Sequence, residues 1–169
     1  MNGAIFYASK YGSTAQYARW IGEATGLAVF NVDNAPPPES FDFVVLGSPV
    51  IYYGLLIEKW VSEHLGALEE RPVVFFSVSG AGPGPKLDAW ISESLPKSFV
   101  AHMHHVALWG RQDPKDLTIY DRTMLIIDGL KNPDRRVGRQ ELKGFDFMDQ
   151  ESIAPVVEMV RGLQRRDVA

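Results

Sequence analysis

The sequence predicts an α/β protein built on a parallel sheet, and three observations predict it. Short apolar runs alternate with longer amphipathic segments, the pattern of repeated strand–helix–strand units. Residues 43–47 are apolar throughout, as expected of a strand covered on both faces. The chain has 169 residues, 46% hydrophobic and 22% charged, the size and balance of one globular domain spanning residues 1–169.

The elements follow in order. Residues 3–8 form an apolar run too short for a helix and read as a buried first strand. Ser13-Thr14-Ala15-Gln16 has the form of a capping box and opens a helix. Ala15, Ala18, Ile21 and Gly22 give that helix one small apolar face, and Gly26 stops it. Residues 27–32 read as the second strand and 43–47 as the third. The link between them holds Pro36-Pro37-Pro38 and is short for a crossover helix, so a brief turn or an extended crossing is expected. Residues 56–65 read as a helix with Leu56, Ile57, Trp60, Val61 and Leu65 on one side and Gly66 at its end. Residues 73–78 form the fourth strand, 86–95 a helix followed by Pro96, and 99–109 the fifth strand. Residues 153–163 close the chain as a helix, with Val156, Val157, Val160 and Leu163 at helical spacing. Trp20, Trp60 and Trp90 lie at core spacing on their helices.

Residues 110–150 depart from the alternation. Residues 117–130 read as a helix with Met124, Leu125, Ile127 and Leu130 apolar. Residues 131–143 then carry Lys131, Arg135, Arg136, Arg139 and Lys143 against Asp134 and Glu141, a local net charge of +3. This stretch is an excursion on the domain, too short to be a second one.

Composition excludes several function classes. A net charge of −4 argues against a general nucleic-acid-binding surface, which needs a basic excess. With no cysteine there is no disulfide, no cysteine-ligated cluster and no thiol nucleophile. A reducing, cytoplasmic setting fits. The N-terminus has neither a basic segment nor a long apolar run, so no secretory leader is expected. His102, His104 and His105 cluster in the expected fifth strand, with His102 and His104 on one face and His105 on the other. A metal needs three or four converging ligands, so no metal is expected there.

In an open parallel sheet, ligands bind beyond the carboxyl ends of the strands. After the first strand come Ser9, Lys10, Tyr11, Gly12, Ser13 and Thr14, leading into a helix. Hydroxyls, a glycine and a helix N-terminus together suit an anion; the simpler alternative is that Ser13 only caps its helix. The spacing matches neither the P-loop nor the dinucleotide glycine motif. After the third strand come Ser48, Pro49, Val50, Ile51, Tyr52, Tyr53 and Gly54, with two adjacent aromatics at the binding edge. After the fourth come Ser77, Val78, Ser79, Gly80, Ala81 and Gly82, where glycines admit a close backbone approach to a planar ligand. A phosphate cradle, an aromatic lid and a backbone-rich loop make the layout of a flavin mononucleotide (FMN) site.

Residues 5–14, Ile-Phe-Tyr-Ala-Ser-Lys-Tyr-Gly-Ser-Thr, resemble the flavodoxin signature of two apolar residues, an aromatic, x-[ST]-x-x-G-x-T. The resemblance covers most of the chain through the fifth strand and the last helix. It implies a flavodoxin-like three-layer sandwich with a five-stranded parallel sheet in the order 2-1-3-4-5, and FMN as cofactor. Carried over by position, Ser9 to Thr14 would hold the phosphate, while Ser48 to Gly54 and Ser77 to Gly82 would border the isoalloxazine ring. Within the superfamily the chain is most similar to the bacterial quinone-dependent protoporphyrinogen dehydrogenase branch. The similarity lies in Lys10 within the phosphate loop, in Ile51-Tyr52-Tyr53-Gly54, and in Tyr120-Asp121-Arg122. It implies an FMN oxidoreductase taking electrons from a porphyrinogen and passing them to a quinone, with peripheral contact at the inner face of a membrane.

Two other functions compete. An electron-carrier flavodoxin would shuttle electrons between redox proteins and have no substrate pocket. A phosphoacceptor receiver domain shares the strand order but needs an aspartate where this chain has Gly47-Ser48. Charge near the ring favours the substrate enzyme over the carrier. Neither residues 48–57 nor 77–87 contain an acid, and Lys86 is basic, which suits a higher redox potential.

Overall fold

The computed structural model describes residues 1–131 and 143–166. The basic stretch around Arg135, Arg136 and Arg139 lies outside the described residues. Five parallel strands stand in the expected order: β2 (Ala28–Asn31), β1 (Gly3–Tyr7), β3 (Phe43–Ile51), β5 (Val73–Ser79) and β6 (His104–Trp109). A sixth, β4 (Gly54–Leu55), was not expected; it folds back antiparallel on the end of β3.

Alternate residues of the central strands feed two cores, so the sheet is the middle of three layers. Ala4, Phe6, Val44, Leu46, Val73 and Phe75 face one side. There they meet α2 (Glu58–Glu63), α3 (Leu65–Glu69), α4 (Pro85–Ser94) and α5 (Lys97–His102) through Val61, Leu68, Leu87, Ile91 and Phe99. Ile5, Phe43, Val45, Val74 and Phe76 face the other side and pack on α1 (Ser13–Thr25) and the closing helix α7 (Ala154–Arg165). The link between β2 and β3 has two 3-10 turns and no full helix, as its length predicts.

Several expectations need correction. Residues 99–102 belong to α5, and the last strand of the sheet begins only at His104. A short apolar pair such as Phe99-Val100 suits either structure; here Pro96 starts a helical turn and Phe99 is wholly buried. His102 therefore ends α5, and only His104 and His105 share the strand. His102 Nε2 meets the Arg71 carbonyl at 2.6 Å, His104 is exposed, and His105 Nε2 meets Ser77 Oγ at 2.8 Å. Among the described residues no group of three or more His, Cys, Asp or Glu side chains is placed to hold a metal.

The helix expected over 56–65 is broken at His64 rather than ended by Gly66. The His64 ring stacks on Trp60 at 4.4 Å and its Nδ1 lies 2.9 Å from the Trp60 carbonyl, which draws the backbone out of register. Leu56 lies outside the helix and is exposed. The capping box is also absent: Gly12 occupies the cap with φ +91°, and Ser13 is already helical. Gly26 does end α1 in the left-handed conformation, its N–H donating to Gly22 O.

The excursion begins with β7 (Arg111–Gln112), which pairs antiparallel with β8 (Phe145–Asp146). Between them lies α6 (Ile119–Lys131). Met124 and Leu125 are half-buried and Ile127 is exposed; the Leu130 side chain lies outside the description. No helix among the described residues is long and apolar enough to cross a membrane.

Candidate functional site

The loop after β1 turns sharply at Gly12 and delivers Ser13 and Thr14 into the first turn of α1. No atom lies within 4 Å of where a Gly12 Cβ would stand, so glycine is demanded by φ and not by space. Ser9 Oγ accepts from Gly12 N at 3.2 Å, pinning the loop. Ser13 Oγ donates to Arg111 O at 3.4 Å, tying the helix start to the excursion. Thr14 is 1% exposed and its Oγ1 has no hydrogen-bond partner among the described residues. A cavity of about 300 Å³ opens beside this loop, lined by Ala8, Ser9, Lys10, Val32, Asp33 and Leu56.

The third strand continues past residue 47 to Ile51 and reverses through Tyr52 and Tyr53 into β4. Both tyrosines have positive φ, +49° and +66°. A two-residue hairpin loop of type I′ demands this, and Asn-Gly normally meets the demand. Two tyrosines there are strained by roughly 1–2 kcal/mol per residue. Both rings are exposed at the sheet edge; Tyr53 also packs on Trp90, with ring centres 5.2 Å apart.

The loop after β5 is arranged differently from expectation. A Cβ on Gly80 would strike the Phe145 ring at 2.5 Å, and one on Gly82 would strike Trp109 at 2.4 Å. These glycines make room for the chain's own aromatics. Trp109, Phe147 and Phe145 contact in series, and Trp109 and Phe147 are exposed. Ser79 Oγ accepts from Ala81 N at 3.3 Å, shaping the turn.

Three of the expected ring-bordering side chains are turned inward by strand alternation. Ser48 is buried, donates to Pro49 O and accepts from Ile57 N at 3.2 Å. Ser77 is buried against His105, and Val78 sits in the core on the α1 side. Only their backbones remain for a ligand. Pro49, Val50 and Ile51 are half-buried along β3, and Gly54 begins β4.

What unites the loops is a residue to which the sequence pattern assigns no role. Asp121 is 5% exposed, the buried member of the first turn of α6. Its carboxylate accepts from the hydroxyls of Tyr11 and Tyr52 and pairs with Lys10 Nζ at 2.5 Å. Burial pushes the Tyr52 phenol above its ordinary pKa; Lys10 opposes this, and Tyr120 and Asp128 add to it. Tyr52 therefore remains a donor near neutrality. The Tyr120 ring stands edge-on to Tyr52, with centres 6.1 Å apart. The only advance signal was the Tyr120-Asp121-Arg122 triplet. The loops themselves hold no acid, but the fold brings one to Tyr52 from a segment 69 residues away.

The arrangement can receive a phosphate at the α1 start and a flat ring near Tyr52 and Tyr53. Thr14 Oγ1 is a buried hydroxyl lacking the partner that such groups require. The residues fit a mononucleotide on that observation.

Solved structures similar to this chain include a flavodoxin from the domain Archaea, at 18% identity and a TM-score of 0.49, covering 95% of this chain and 99% of that one. A flavodoxin, WrbA-like protein from Agrobacterium tumefaciens is 15% identical with a TM-score of 0.46, covering 83% and 98%. A Fusobacterium nucleatum flavodoxin bound to flavin mononucleotide is 17% identical with a TM-score of 0.46, covering 66% and 71%. No curated protein matches the sequence. The family model described as flavodoxin domain matches residues 4–127, from the start of β1 to the middle of α6. That span holds the parallel sheet, the phosphate-loop candidate, the tyrosine turn and Asp121, and by it the chain belongs to the flavodoxin-domain family.

Proposed function

We propose that this chain binds FMN, with the phosphate on the loop of residues 9–14 and the ring beside the Tyr52-Tyr53 turn, and that it works as an oxidoreductase. The unpartnered Thr14 hydroxyl carries the reading. A buried hydroxyl left unsatisfied costs about 1–3 kcal/mol, and a phosphate oxygen at the helix start would satisfy it. Bound FMN would supply the two-electron chemistry, while the protein orients it and tunes its potential. Here Ser9 and the free N–H groups of the first turn of α1 add donors, and Lys10 adds the cation. Tyr52 and Tyr53 present flat faces at the site edge and exclude water from one side of it. The absence of a second nucleotide motif supports FMN over FAD.

For the substrate, the finer resemblance supports a porphyrinogen-class donor with a quinone acceptor. Tyr120-Asp121-Arg122, one of the segments carrying that resemblance, lies against the phosphate loop and the tyrosine turn rather than elsewhere on the surface. The test is the absorbance spectrum of the purified protein, mass analysis of its released cofactor, then anaerobic titration. FMN should be recovered, and the flavin band should bleach with porphyrinogen and return with quinone. Recovery of FAD, or no flavin bound in excess FMN, removes the cofactor reading. A flavin band that responds only to redox proteins replaces the substrate enzyme with an electron carrier.

A further inference from the structure

Along the first turn of α6, Ile119 and Tyr120 are strongly exposed and the acid that follows them is buried. An aspartate inverted in this way needs partners, and all three that it has belong to the candidate ligand loops. Lys10 is the only basic residue of the loop 9–14, and its ammonium is committed to Asp121 at 2.5 Å. A phosphate monoester carries a charge of about −1.5 to −2 near pH 7. Carboxylate and phosphate would therefore seek the same ammonium, and each would repel the other. A flavin without a phosphate makes no such demand.

We propose that Asp121 is an internal anion that competes with a bound phosphate monoester for Lys10, so that phosphate recognition is weakened and coupled to the position of α6. The inference rests on the FMN reading. A phosphate at Lys10 draws the ammonium away from Asp121 and leaves a buried carboxylate with only the Tyr11 and Tyr52 hydroxyls. An under-compensated buried charge is destabilising, and the first turn of α6 is the element free to relieve it by moving outward. Asp121 is then a positioning residue that sets how tightly, and how reversibly, the cofactor's phosphate is held.

The test compares FMN with riboflavin, by fluorescence titration, in the wild type, Asp121→Asn, Lys10→Gln and the double variant. Asp121→Asn should tighten FMN about fivefold or more while leaving riboflavin within about twofold, and the gain should vanish in the Lys10→Gln background. FMN unchanged or weakened in Asp121→Asn, an equal change for riboflavin, or a gain that survives Lys10→Gln overturns the proposal. Hydrogen exchange on the wild type needs no variant to fold. FMN, but not riboflavin, should speed exchange in residues 119–123; no change or protection overturns the proposal. If the wild type binds no FMN, inorganic phosphate separates the two readings. A Tm rise with phosphate that is larger in Asp121→Asn keeps the competition and removes the flavin, whereas no rise removes both.

Discussion

Thr14 and Gly12 show how two adjacent constraints serve one loop. Thr14 has a buried hydroxyl that nothing among the described residues satisfies, and Gly12 has a backbone angle that no other residue adopts comfortably. Thr14→Val keeps the shape and removes the orphan. Without flavin it should stabilise the fold by about 1 kcal/mol, seen as a higher denaturant midpoint. With FMN it should lose a hydrogen bond to a charged group, about 1–3 kcal/mol of affinity. A structural threonine would not move these two measurements in opposite directions. A Cβ at Gly12 meets nothing within 4 Å, but Gly12→Val must adopt φ +91°, so stability should fall by about 1–2 kcal/mol and FMN binding with it. FMN affinity unchanged from the wild type in both variants by fluorescence titration contradicts the cradle. The residue pattern made the threonine and the glycine visible in advance. It did not reveal that Gly80 and Gly82 would house Phe145 and Trp109, because a glycine shows that something approaches closely and not what approaches.

Among elements, the β3–β4 hairpin is the one whose sequence works against its conformation. Its loop requires left-handed backbone at two positions and has tyrosine at both. Replacing Tyr52-Tyr53 with Asn-Gly should relieve that strain, while losing the Tyr52–Asp121 hydrogen bond and the Tyr53–Trp90 contact. The relieved strain is roughly 1–2 kcal/mol at each of the two positions and the lost contacts are about 1–3 and about 1 kcal/mol, so gain and loss nearly offset and chemical denaturation should show a net change within about 2 kcal/mol. Flavin affinity should nevertheless fall at least about tenfold, the loss of roughly 1.4 kcal/mol of ring contact. A variant that binds FMN and riboflavin as well as the wild type assigns the ring to another face. The strands of the sheet were legible as apolar runs, and their order follows from the resemblance. The α5 turn was not, because Phe99-Val100 fits a strand and a helix equally well in isolation and only the neighbouring Pro96 and the core around Phe99 decide.

At the scale of the whole molecule, global stability should depend on pH through His105. Its ring is joined to Ser77 across the β5–β6 pair and stacks near Phe75, with centres 5.6 Å apart. Burial pushes its pKa below the ordinary value, and Asp88 pulls weakly the other way. The unfolded chain therefore binds a proton at His105 more readily than the folded one. Stability is at its full value above about pH 6.5, the ordinary histidine value, and falls as pH drops from there toward the depressed folded value. His105→Gln should flatten that part of the profile; an unchanged slope in urea denaturation between pH 7 and 5 would show that His105 does not contribute.

The sequence by itself determined the α/β class, the strand order of the sheet through its resemblance, and the phosphate-loop candidate. These depend on local information: apolar runs of strand length, a glycine before a helix, hydroxyls at fixed spacing. Only the tertiary structure decided what surrounds the candidate site. Asp121 lies 110 residues from Tyr11 and 69 from Tyr52, and no local pattern marks two such segments as neighbours. Asp121 stands one turn before Met124 and Leu125, on the half-buried row of α6, but a lone acid in that row does not show which partners it will meet. Its surroundings are Lys10, Tyr11 and Tyr52, and with that placement the one cation of the phosphate loop faces a buried carboxylate.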